Sequence, residues 1–247
     1  MRGLLKLTLI GIKLYLREPV AFFFTIIFAP LMLLLFGSVY GNEPNPLFSG
    51  RGTVDVMVPA YIGIIIVTVS LLSIPINTAS ARESGVLRRF QAAPLHPLAY
   101  MTSELISNLV VTVLGVLFLI LIGRLVYNAR FNGNILSVSA AFLLGTFAFF
   151  FLGYLIAALA PTARTAEAVG MILGFPMIFF SGASVPWEIL PSGVRAFGRY
   201  LPLTHLVSLL KGLWFGDPWS QHLHEVAVLL AILLLGGAIG TKLFRWE

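Results

Sequence analysis

The chain has 247 residues, of which 58% are apolar and only 11% charged, with a mean hydropathy of +0.96. Soluble domains carry roughly 25% charged residues, so the composition argues against a water-soluble fold, and the lack of cysteine excludes disulfides and thiolate metal sites. The net charge of +6 does not indicate nucleic acid, because the basic residues sit at the ends of apolar runs, where anionic lipid headgroups lie.

Residues 3–17, GLLKLTLIGIKLYLR, set leucines around a polar arc of Lys6, Lys13 and Arg17, with Glu18 following. The pattern predicts an amphipathic helix over residues 1–19 lying on the cytoplasmic membrane surface. The alternative, a frayed basic tail, would not need so many leucines. These charges also interrupt any short apolar region, so no cleavable signal peptide is expected. Pro19 suits a first helical turn and carries the chain into the membrane.

Six spans are predicted. The first covers residues 20–40, with Pro30 near its middle to kink it. A turn-rich outer loop follows at 41–52. The second span covers 54–79, and its latter half carries Ser70, Ser73, Asn77 and Thr78. Such residues face either neighbouring helices or a translocation surface, and both readings stand. The third and fourth spans, at 105–123 and 134–160, are joined by the polar turn 124–133. The fifth, 168–184, is short and glycine-rich. Between it and the sixth, 226–243, prolines and aromatics break the pattern, and residues 187–200 read as short helices dipping into the outer leaflet or as a surface loop.

One stretch departs from all this. Residues 82–94, RESGVLRRFQAAP, lie between two apolar spans yet carry four charges. Arg82, Glu83, Arg88 and Arg89 surround Leu87 and Phe90, which share one side of a short helix over 82–93, ended by Pro94. Such a helix lies on a membrane face. Charge counting places it inside: with both termini cytoplasmic, ten lysines and arginines fall on inner segments and six on outer ones. No internal repeat or linker divides the chain, so residues 1–247 read as one domain.

Catalytic motifs are absent: there is no GxxxxGK[ST], HExxH or GxSxG. His222, His224 and Glu225 cluster, but neighbours two apart diverge on a helix, so no metal site is expected. Glu104 and Glu167 sit at the inner mouths of spans three and five, where a proton path or the headgroup level would each place a carboxylate. No buried mid-span charge favours an ion-coupled carrier, the alternative from another class.

Three blocks together resemble the membrane-spanning permeases of type-2 ABC exporters, a group that includes bacterial antibiotic-export and polysaccharide or lipo-oligosaccharide-export permeases. They are residues 14–37, LYLREPVAFFFTIIFAPLMLLLFG; residues 82–100, RESGVLRRFQAAPLHPLAY; and residues 174–205, GFPMIFFSGASVPWEILPSGVRAFGRYLPLTH. The resemblance implies an all-α integral membrane protein with six spans, an interfacial N-terminal helix, a cytoplasmic coupling helix at 82–93 and short outer re-entrant helices at 187–200. It further implies a bacterial or archaeal cytoplasmic membrane, a second permease copy or close homologue, and a separate ATPase chain that binds ATP and magnesium. Arg82, Glu83, Leu87, Arg88, Arg89 and Phe90 would dock that ATPase, assisted by the helix bearing Lys6, Lys13, Arg17 and Glu18. Spans one and five, the latter with Gly174, Pro176 and Gly182, are expected at the dimer contact. Ser70, Ser73, Asn77, Phe175 and Phe179 are the candidate translocation residues. The phenylalanine-rich helix faces favour a hydrophobic drug or lipid-like cargo over a polysaccharide or lipo-oligosaccharide. No cofactor, metal or nucleic acid is expected on this chain.

Overall fold

The computed structural model describes residues 2–85 and 97–243. Its described regular elements are helices, apart from one isolated bridge between Asn45 and Arg51. In chain order they are α1 (Arg2–Arg17), α2 (Pro19–Tyr40), α3 (Thr53–Glu83), α4 (Pro97–Tyr127), α5 (Ile135–Leu159), α6 (Ala163–Phe180), α7 (Ser192–Gly198), α8 (Pro202–Phe215) and α9 (Leu223–Leu243). Six of the helices, α2 to α6 and α9, are long and apolar enough to cross a membrane. Two short 3₁₀ turns, Trp187–Ile189 and Trp219–His222, complete the connection from α6 to α9.

Helix α3 is the axis. Every residue from Gly52 to Leu71 is buried, as expected of a segment, TVDVMVPAYIGIIIV, that has no polar face to turn toward solvent. Helices α2, α4, α5, α6 and α8 pack around it, whereas α9 lies outside, mainly against α5. The core is continuous from Ala29 and Leu33 of α2, through Tyr61 to Val67 of α3, to Phe149 of α5 and Leu206 to Leu213 of α8.

The helix starts follow ordinary capping chemistry. Asn134 caps α5, its side chain accepting from the Leu136 and Ser137 amides at 2.8 and 3.3 Å, and Thr162 caps α6 through the Thr165 amide at 3.1 Å. Prolines open α2 and α8, where the missing N–H has no helical partner to lose.

Two helices widen locally into π turns, α2 at Phe23–Ile27 and α3 at Thr68–Ser73. Each turn contains the residue four before a proline: Ile26 before Pro30 and Leu71 before Pro75. A proline cannot donate to that carbonyl and its ring crowds it, so widening the turn relieves the contact. In α3 the disturbed carbonyls meet glycines. A Cβ added to Gly153 of α5 would lie 2.0 Å from the Ser70 oxygen, and one on Gly170 of α6 would lie 2.0 Å from that of Leu71. Only hydrogen-bearing Cα atoms fit there, so α5 and α6 close directly onto the backbone of α3.

Candidate functional site

Hydrogen-bonded polar clusters form at the two ends of the bundle. At the end where α3 finishes, α1 lies across α4 and touches α2. Tyr15 of α1 is only 6% exposed. Its hydroxyl meets the Thr25 hydroxyl in the π turn of α2 at 2.6 Å and the Ser73 hydroxyl in the π turn of α3 at 3.1 Å. Burial pushes the phenol up from its usual range, against the opposing effect of those two hydrogen bonds, so it stays neutral and can donate. Thus one side chain of α1 joins both proline-widened turns.

Further bonds tie the same end together. Ser107 of α4 reaches the Thr8 carbonyl at 3.1 Å and its own Ser103 carbonyl at 2.7 Å. Thr78 of α3 donates to a Glu104 carboxylate oxygen of α4 at 3.1 Å. Between α1, the end of α3 and α4 lies a cavity of about 400 Å³ lined by Tyr15, Glu18, Asn77, Glu104 and Asn108 among others.

Arg82 and Glu83 are the last residues of α3, not the start of a separate helix. The Arg82 guanidinium turns back, donating to the Ala157 carbonyl at 3.2 Å and to that of Ala160, so it caps the end of α5. Gly85, at φ +69°, accepts the left-handed conformation that ends α3. Leu87, Arg88, Arg89 and Phe90, and the remainder of the expected coupling helix, lie outside the described residues.

The other expected residues are placed as follows. Lys6, Lys13 and Arg17 are exposed on α1, and Glu18 is exposed at the junction with α2. Ser70 is fully buried and its hydroxyl donates to the Ile66 carbonyl of its own helix at 2.5 Å. Ser73 is held by Tyr15, and Asn77 is half-buried. Phe175 and Phe179 sit apart from these, 44% and 51% exposed on the outer face of α6, in line with Ile172.

The opposite end is organised by Asp55, 2% exposed in the first turn of α3. One carboxylate oxygen accepts from the Asn42 side chain at 2.9 Å and the Arg130 amide at 2.8 Å, while the other accepts from the Gly52 amide at 3.3 Å. Asn42 returns a bond from the Asp55 amide at 3.0 Å. This fastens the 41–52 loop and the 124–133 turn to α3, with Trp214 of α8 donating to the Arg130 carbonyl at 2.9 Å. Nothing in the sequence pattern singles out Asp55 or Asn42. Tyr15 too is hidden, since one tyrosine among leucines looks like any interfacial aromatic.

A polar cavity of about 500 Å³ lies beside α8 at this end. Lys211 reaches Glu188 at 3.5 Å, and His222 lies 3.5 Å from Asp217 and 3.8 Å from Glu225. The rings of His205 and His224 meet edge-on at 5.2 Å. Burial lowers the His205 pKa, and His224 lowers it further, while Glu225 and a backbone hydrogen bond with Arg199 oppose this. Among the described residues no three histidine and carboxylate groups converge to hold a metal ion.

Known proteins place these features in context. A family model described as ABC-2 family transporter protein matches residues 43–242. The ycf38 protein of Cyanophora paradoxa, provisionally described as a transport permease, is 26% identical over 245 residues, covering 93% of this chain and 83% of its own. The inner membrane transport permease YhhJ of Escherichia coli is 28% identical over 201 residues, covering 74% of this chain and 54% of its own. Nodulation protein J of Rhizobium leguminosarum bv. viciae is 30% identical over 98 residues, covering 40% and 38%.

Proposed function

The chain belongs to the ABC-2 family of transporter proteins as a membrane permease, and from that premise we propose that it is the export channel of an ATP-driven transporter. A separate ATPase chain binds ATP and magnesium and powers transport, and two permease copies, or this one and a close homologue, form the path between them. Both termini and the 82–94 stretch face the cytoplasm, in keeping with the excess of lysine and arginine on those segments.

The observation that carries this reading is the run of α3. It is the buried axis of the bundle and leads directly into the charged stretch at 82–94. A push on that stretch acts on a rod in contact with five other helices. The left-handed Gly85 ends this rod, and Arg82 holds its last turn to α5. Helix α1 lies on the inner membrane surface through its exposed leucines and basic residues, and Tyr15 passes its position to the π turns. The short helices between α6 and α9 close the outer end.

The cargo is a hydrophobic drug or lipid-like molecule. The exposed apolar stripe Ile172, Phe175 and Phe179 on α6 supports this reading, since it would face the partner copy and the path between the two. Spans one and five then form the dimer contact.

The test is co-expression with an ATPase partner and replacement of Glu83, Arg88 and Arg89 by alanine. The variant should insert and assemble normally but lose cargo-stimulated ATP hydrolysis and export. Undiminished export would remove the coupling role.

A further inference from the structure

Spans three and four follow one another in the chain but make little direct contact. The gap between α4 and α5 is an open apolar groove of about 490 Å³, floored by Val58 and Ile62 of α3. Leu117 and Ile120 form one wall, Val138 and Phe142 the other. Pockets of about 300–1,000 Å³ hold ligands of drug or acyl-chain size. From Val113 at its deep end to Arg124 at its mouth, the groove follows about 16 Å of helix. That is close to half of the roughly 30 Å hydrocarbon core, the depth of one leaflet.

The mouth opens into a second, polar hollow of about 330 Å³, which shares Arg124, Ala129 and Phe131 with the groove and adds Asn128, Arg130 and Asn132. Arg124 and Arg130 are both exposed. Among the described residues neither guanidinium has a carboxylate within ion-pairing distance. Their backbone is nonetheless fixed: Arg124 lies in the last turn of α4, its carbonyl accepting from the Asn128 amide at 3.2 Å, and the Arg130 amide is held by Asp55 and its carbonyl by Trp214. Two exposed planar cations thus line the polar hollow at the mouth of an apolar slot one leaflet deep.

We propose that this composite site binds an anionic phospholipid, with an acyl chain along the α4–α5 groove and the phosphate on Arg124 and Arg130. The charge complements the headgroup, guanidinium forks suit phosphate oxygens, and Asn128 and Asn132 can donate to the glycerol or phosphate oxygens. The site is separate from the path proposed above and stands whether or not the chain exports.

The experiment uses the full chain purified in detergent, exposed to dioleoyl phosphatidylglycerol or dioleoyl phosphatidylcholine, with retained lipid read by native mass spectrometry. Wild type should retain phosphatidylglycerol about thirtyfold more strongly than phosphatidylcholine, the ratio expected for two cations at a headgroup. Arg124→Gln with Arg130→Gln should abolish that preference while leaving phosphatidylcholine retention unchanged. Ser139→Phe, which fills the groove from its exposed wall, should lower retention of both lipids. Equal retention of both lipids by wild type would overturn the proposal, as would a groove covered by a second copy that excludes lipid. Displacement of the lipid by millimolar inorganic phosphate would also overturn it, marking a soluble-anion site instead.

Discussion

Tyr15 ties a surface helix to the interior of the bundle. Its hydroxyl hydrogen-bonds to both Thr25 and Ser73, and both partners are buried. Tyr15→Phe should therefore lower stability by about 1–2 kcal/mol, the cost of leaving buried hydroxyls short of a partner. Thermal unfolding of the purified protein would measure it, and an unchanged midpoint would show that the bonds contribute nothing. At the opposite end His205 sets a pH dependence. Its pKa is lowered by burial and by His224, so below about pH 6.5 the unfolded chain binds more protons at this residue than the folded one. Stability at this site is therefore present above that pH and is lost as the pH falls. The unfolding midpoint should drop between about pH 7.5 and about pH 5.5, and drop less in His205→Gln. Equal drops in the two proteins would assign the effect elsewhere.

Among the helices, α3 shows how a break in regularity is used. Pro75 removes one backbone donor, the helix widens at Thr68–Ser73, and the displaced carbonyls of Ser70 and Leu71 lie against Gly153 and Gly170. The three helices are thereby held at backbone contact, closer than any side chain would permit. Gly170→Ala puts a methyl group 2.0 Å from the Leu71 oxygen, and the helices must separate to admit it. A loss of about 1–3 kcal/mol is expected, whereas Gly193→Ala, where an added Cβ meets nothing within 4 Å, should be far milder. The two unfolding midpoints compared under one condition would decide it. Similar losses for both would mean that close approach at the π turn is unimportant.

For the whole molecule, α6 is the helix on which assembly turns. Ile172, Phe175 and Phe179 form an exposed apolar line, and in a dimer built on spans one and five that line would face the second copy. The chain has no cysteine, so a single Phe179→Cys substitution gives one reactive position per protomer. Oxidative or short bifunctional cross-linking in membranes should yield a covalent dimer, read by its doubled mass on a denaturing gel. The same substitution at Leu235, exposed on the peripheral α9, should not. Cross-linking only through Leu235→Cys would move the dimer contact to α9.

Much of this architecture was legible in the residues. Long apolar runs fix six membrane-crossing helices because a bilayer admits few other ways to satisfy backbone hydrogen bonds, and the family resemblance was visible in three ordered blocks. The charge of residues 82–94 likewise marks them as a segment outside the apolar core. Sequence periodicity could not say which span is central: α3 and α4 both carry long uncharged apolar runs, yet only that of α3 is enclosed. The family resemblance places Arg82 in a docking helix, whereas the folded chain turns that side chain onto the carbonyls that end α5. The sequence left Ser70 open between packing and a path, and the hydroxyl is in fact turned onto its own helix. Asp55, Asn42 and Tyr15 escaped notice altogether, since their partners lie in other segments of the chain. Apolarity along a helix is a local property, so the sequence by itself determined the spans. Which spans touch, which polar groups are satisfied and where a groove remains depend on distances between segments remote in the chain, and only the tertiary structure decided those.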